Sequence, residues 1–255
     1  MDRNDRPGVT TRTARVLIAP VPAGGRGREI ARRLEDAIRL GVLEAGARLP
    51  SETVLAEQFN VSPLTLREAL ALLRDRDLVK TRRGRGGGTF VLASTRKSDE
   101  HLSEVLRAMS SQEMQDLGDH RAAVSAAAAR LAASRALDED LEQLRRSLTS
   151  FDPDGTIGEL RRADCRFHIE VAVAAQSPRL TEAEMSLWTQ VGDLVWYAVA
   201  FGERMRVVEE HAEILRAIEQ RDASAAHRLA LLHADDETRR LLAHRVRVIS
   251  AGSAK

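Results

Sequence analysis

Four side chains in the rear half of this 255-residue chain could share one cation. Asp164 and His168 are four residues apart, one helical turn, and share a face with Leu160, Phe167 and Val171. Both are therefore expected to point into a core. His211 lies among Val207, Val208, Leu215 and Ile218, and His233 near Leu229 and Ala226. A carboxylate buried beside imidazoles is costly unless something partners it. One carboxylate and three imidazoles converging inside a helical bundle would coordinate a divalent ion such as zinc and leave positions open for a ligand. Spacing alone also admits a metal-free core in which each histidine is hydrogen-bonded to a carbonyl or an acid. An open site of this kind could activate water, yet no general base stands beside it in a convincing motif.

The front half carries a different chemistry, that of anion recognition. Arg82, Arg83 and Arg85 are interleaved with Gly84, Gly86, Gly87 and Gly88. The β-prone runs Leu78–Thr81 and Thr89–Leu92 on either side make this the tip of a hairpin. Glycines allow close approach of backbone to a phosphate or the minor groove, and the arginines neutralise charge. An isolated Arg/Gly loop is also compatible with a solvated turn, so its neighbours matter. Just upstream, Ser51 is placed to cap a short helix over Leu55, Ala56 and Phe59, which Asn60 ends. Ser62 caps a second, with Pro63 at its first position and Leu66, Ala69, Leu70 and Leu73 as the buried stripe. Two short helices so joined form a helix-turn-helix whose second member enters the major groove. Thr65 and Arg67 are its exposed candidates, and the hairpin after it is a wing.

Composition agrees with a mainly α fold. Hydrophobic residues make up 43% and charged residues 30%, with only 3% aromatics. The net charge of +1 conceals a split, with Lys and Arg in excess before residue 98 and Asp and Glu in excess after it. A basic front half beside an acidic rear half suits a polyanion-binding module joined to something else. The single cysteine, Cys165, excludes an internal disulfide and fits a reducing cytoplasm. No apolar run approaches the length of a membrane span. The expected organisation is a disordered basic tail over 1–25, a winged helix-turn-helix over 26–93, and a linker over 94–100. An antiparallel bundle of six to seven helices then occupies 101–247.

These motifs carry a resemblance. "LPSE" at Leu49–Glu52, "LAEQFNVS" at Leu55–Ser62, "LREAL" at Leu66–Leu70, "DLV" at Asp77–Val79 and "RRGRGGGTFV" at Arg82–Val91 resemble the DNA-binding domain of the GntR family of bacterial regulators. The resemblance implies DNA contacts at Ser51, Ser62, Thr65, Arg67, Arg82, Arg83, Arg85, Gly86 and Gly87. Thr53 and Pro63 depart from it, because such regulators usually carry arginine there. Arg67 remains as the base reader, able to fork onto guanine O6 and N7; an ion pair with a nearby acid on the same helix is its other reading.

The rear half, through "RAAVSAAAARLAA" at Arg121–Ala133, "DCRFH" at Asp164–His168, "EHAEILRAI" at Glu210–Ile218 and "LLHADDE" at Leu231–Glu237, resembles the FCD ligand-binding domain of the FadR subfamily. That implies zinc or nickel on Asp164, His168, His211 and His233, a carboxylate-bearing effector approached by Arg121, a homodimer on a short palindrome, and repression relieved by the effector. Arg121 could instead form a surface or interhelical salt bridge. Ser177 departs from the resemblance, which places asparagine before the proline. Trp188, Trp196 and Tyr197 are expected to line the cavity or to pack the core, and Cys165 to be a bystander.

Overall fold

The computed structural model describes residues 26–84, 86–92 and 98–252. The expected tail over 1–25, Arg85 and residues 93–97 of the expected linker lie outside them. A boundary between two compact units falls between residues 95 and 96.

In the first unit, helices α1 (Arg26–Arg39), α2 (Glu52–Phe59) and α3 (Pro63–Asp75) precede an antiparallel hairpin of β1 (Val79–Arg82) and β2 (Gly88–Val91). Ile30, Leu34, Ala37 and Ile38 recur at helical spacing along α1 and are buried, as are Leu66, Ala69, Leu70 and Leu73 of α3, on which α1 packs. Ser51 and Ser62 cap α2 and α3 by accepting from the amides of Val54 and Thr65. Between them Asn60 adopts the left-handed conformation at φ 53°, which asparagine tolerates better than most residues. The segment before α2 adds an edge to the wing, with Leu49 N donating to Thr89 O and Val91 N to Ala47 O, both at 2.9 Å.

The second unit is all-helical among its described residues: α4 (Asp99–Ala108), α5 (Ser111–Arg135), α6 (Asp138–Thr149), α7 (Ile157–Ala174), α8 (Pro178–Ala198), a 3-10 turn (Phe201–Glu203), α9 (Arg204–Glu219) and α10 (Ala223–Gly252). Two boundaries differ from expectation. Asp99 and Glu100 belong to α4 and not to a linker, because Ser98 accepts from His101 N and places both acids at the positive end of the helix. Helix α10 also runs on to Gly252, past residue 247.

Helices α5 and α10 form the spine. Gly118 faces Thr238, Arg121 pairs with Glu237, and His227 Nδ1 meets Ala126 O, so the two run antiparallel. Small residues permit close approach: Ala122, Ala126, Ala129 and Ala133 are buried on α5, and Ala226, Ala230 and Ala234 on α10. At Gly118 an added Cβ would lie 2.4 Å from Thr238 Cγ2 and 3.0 Å from Thr238 Cβ, and a short β-branched side chain cannot swing clear. Gly118→Ala is therefore expected to cost about 1–3 kcal/mol of stability, several degrees of Tm in a thermal melt. Gly158→Ala, which meets only the end of Arg162 at 3.4 Å, should leave Tm unchanged or slightly raised. No helix among the described residues is long and apolar enough to cross a membrane.

Candidate metal centre and nucleic-acid interface

Helix α7 supplies Asp164 and His168, α9 supplies His211 and α10 supplies His233. All four are buried, and one ligand atom from each lies within 4.8 Å of every other. His211 Nε2 is 3.2 Å from Asp164 Oδ1 and 3.2 Å from His233 Nε2, while His168 Nε2 is 3.5 Å from Asp164 Oδ1. Nitrogen and oxygen ligands at about 2.1 Å from a tetrahedral ion stand roughly 3.4 Å apart, so the spacing fits. The donor set fits too. Asp164 Oδ1 and His168 Nε2 are buried without a hydrogen-bond partner, a cost that a cation between them would remove.

Surrounding side chains aim these ligands. Trp196 Nε1 donates to Asp164 Oδ2 at 2.7 Å, leaving Oδ1 to face the imidazoles. His233 Nδ1 lies 2.7 Å from Glu210 Oε2; an N–H there directs the lone pair of Nε2 inward. Phe167 stacks on His211 at 4.3 Å between centroids. Burial pushes the His168 imidazole down to about 4 and lowers His211, against the pull of Asp164. Both are thus neutral, the form that binds metal. Burial alone would raise the Asp164 carboxyl, yet the nearby His168 and His211 hold it well below the usual carboxylate range. Burial works to lower His233 as well, but Glu237 and Glu210 keep it above its ordinary value; a bound cation would compete with that proton.

The other expected residues fall in varied places. Arg121 is buried in an ion pair with Glu237, its guanidinium 4.6 Å above the Trp188 ring. Trp188 and Trp196 pack against the histidine cluster, Trp188 lying 4.7 Å from the His168 ring. Tyr197 does not: its hydroxyl meets Ser103 at 2.7 Å in a separate cluster with Leu102 and Leu241. Ser177 precedes α8 without a side-chain capping bond. Cys165 is fully buried, and burial pushes its thiol up, away from the reactive thiolate form. Glu184, absent from the sequence-based set, accepts from Ser125 Oγ at 2.7 Å and Trp188 Nε1 at 3.2 Å, and burial raises its carboxyl to about 7. Beside it a cavity of about 10 Å³, bounded by Ser125, Phe167, His168 and Ile214, has room for about one water. A separate groove of about 410 Å³ is lined by His233 with Arg206, Glu210, Leu229 and Asp236.

On the first unit, Arg67 is exposed and its Nε donates to Glu52 Oε2 at 3.0 Å. The acid that pairs with it is thus on α2 and not on its own helix. Thr65 is half-buried, its hydroxyl 2.9 Å from that of Ser62. Arg82 lies over the Phe90 ring, and Arg83 and Gly86 are exposed at the tip. Gly87 N donates to Gly84 O at 2.8 Å, and a Cβ on Gly87 would stand 2.6 Å from Arg82 O and 2.8 Å from Gly84 O. Backbone cannot yield cheaply. Gly87→Ala is expected to open the wing tip and weaken duplex binding about tenfold in a gel shift, with the melting temperature of the chain nearly unchanged.

Residues 26–91 match the bacterial regulatory proteins of the gntR family, and residues 116–236 match the FCD domain. A Mycobacterium gastri protein named as an HTH-type transcriptional regulator, RmpR, is 40% identical over 216 residues, covering 84% of this chain and 79% of its own. The HTH-type transcriptional regulator LutR of Bacillus subtilis is 30% identical over 210 residues, covering 77% and 92%. Among solved structures, Escherichia coli McbR/YncC shares the fold with a TM-score of 0.51 at 19% identity, covering 86% of this chain and 97% of its own. The chain therefore belongs to the GntR family of bacterial regulatory proteins, carries an FCD domain, and is a DNA-binding transcriptional regulator.

Proposed function

We propose that this regulator is a metal-dependent repressor, released from DNA by a small carboxylate-bearing metabolite bound at the Asp164–His168–His211–His233 centre. The carrying observation is the convergence of four buried ligand atoms, two of them without partners, in the helical unit of a DNA-binding protein. Asp164, His168, His211 and His233 would hold zinc or nickel, which supplies a Lewis-acidic point for a carboxylate. Arg121 would face the effector's negative end: its Nε has no hydrogen-bond partner, although its Nη2 is engaged by Glu237. With a cavity of only about 10 Å³ on the Glu184 side, an effector entering there has to part the helices around it. A ligand shifts an equilibrium only by its differential affinity for two states, and such parting is a source of that difference.

In this reading the first unit forms the DNA-binding domain and the second, with its described residues 98–252, the effector domain. Two copies pair as a homodimer, so that two α3 helices and two wings grip a short palindrome. Ser51 and Ser62 hold the first turns of α2 and α3, Arg67 reads a base, and Thr65, Arg82, Arg83, Arg85, Gly86 and Gly87 engage the backbone.

A gel-shift titration on the chain's own promoter region tests this. Carboxylates processed by the neighbouring genes, added in millimolar amounts, are expected to release wild-type protein. His233→Ala should hold the duplex and ignore them. If no carboxylate changes wild-type affinity, or His233→Ala responds equally, the proposal is wrong.

A further inference from the structure

We infer that Leu64 reads the C5-methyl group of a thymine in the major groove, next to the base met by Arg67. Within the described residues of the first unit, two large apolar side chains are exposed, Val54 at 41% and Leu64 at 66%. An exposed leucine by itself is ordinary; its position here is not. Leu64 follows Pro63 in the first turn of α3, the part of a recognition helix whose side chains meet base edges. It precedes Arg67 by three residues and so shares its face.

Among the described residues, Leu64 takes no part in the buried core of the first unit. The buried stripe of α3 is made by Leu66, Ala69, Leu70 and Leu73, and the N-cap is closed by Ser62 and Thr65. The surrounding surface is also less basic than the sequence resemblance implies, since Thr53 and Pro63 occupy positions expected to hold arginine. What the first turn of α3 offers a base edge at this point is an apolar surface. In the major groove the apolar feature of a base edge is the thymine methyl. A leucine there distinguishes thymine from cytosine by contact and by removing water from both partners.

The test uses the full chain and duplexes selected by it from a randomised library. Each thymine of the selected site is replaced singly by deoxyuridine, which deletes only the methyl. For wild type, at least one replacement in each half-site is expected to weaken binding about fourfold, the worth of one buried methyl. For Leu64→Ala the same replacement should have no effect, and its melting temperature should equal that of wild type. Selection that returns no preferred sequence would undercut sequence-specific DNA binding itself. A preferred sequence with no sensitive thymine, or with equal sensitivity in Leu64→Ala, would overturn the role of Leu64 alone.

Discussion

Arg67→Ala is expected to lower affinity for the chain's own operator at least tenfold while leaving the melting temperature within about a degree of wild type. A guanidinium forked on guanine is worth about 1–3 kcal/mol of discrimination, and two such residues would act in the proposed dimer. The side chain is exposed and its bond to Glu52 is an exposed ion pair, a class worth less than about 1 kcal/mol. Breaking that pair to reach a base therefore costs little, and so does removing it from the free protein. Arg67→Lys separates charge from geometry. It keeps the cation, so binding to unrelated duplexes and its salt dependence should persist, but it lacks the fork and should lose preference for the operator. Glu52→Gln frees the guanidinium and removes a negative charge from the groove face, so it should tighten binding. Competition gel shifts at two salt concentrations read all three. Equal discrimination by wild type and Arg67→Lys would remove Arg67 as a base reader.

The parts of this protein that could be read from the sequence are those set by short-range rules. Capping serines at 51 and 62, proline at the first position of α3, an asparagine at 60 to end α2 and glycines at the wing tip each impose a local conformation. Every one recurs in the structure. The one-turn spacing of Asp164 and His168 likewise put both on one face. The sequence also points to His211 and His233, but it does not reveal which further side chains aim the four ligands. Trp196, whose indole fixes Asp164, and Glu184 both come from α8, and their place depends on how α8 packs on α7. Glu210 and Glu237 had a faint signal, one adjacent to His211 and the other a turn after His233, yet exposed acids at such spacings are common. The pairing of Arg121 with Glu237 depends on the antiparallel register of α5 and α10, which helical periodicity does not encode. The start of α4 is hidden in the sequence because Ser98 follows a run of polar residues, where a capping serine reads as more linker.

The largest effect on stability is expected from the metal. Full-length protein purified without a histidine tag should carry about one zinc or nickel per chain by elemental analysis. Stripping it with a chelator leaves Asp164 Oδ1 and His168 Nε2 buried and unpartnered. An ion present at a hundred times its dissociation constant contributes about 2.7 kcal/mol, and for a chain of this size each kcal/mol moves Tm by about 2–4 °C. Stripping should therefore lower Tm by about 5–10 °C, and added zinc should restore it. His211→Ala removes a buried ligand that packs on Phe151, Phe167 and His233 and should neither retain the ion nor respond to zinc. Trp196→Phe keeps all four ligands but releases Asp164 Oδ2, so it should bind zinc about 10- to 100-fold more weakly. His227→Ala, whose imidazole faces Ala126 O outside the cluster, should behave as wild type. The metal-free alternative makes the opposite forecast. If the four side chains merely pack, protein as purified is metal-free, zinc leaves Tm unmoved, and Trp196→Phe and His227→Ala differ only through lost packing.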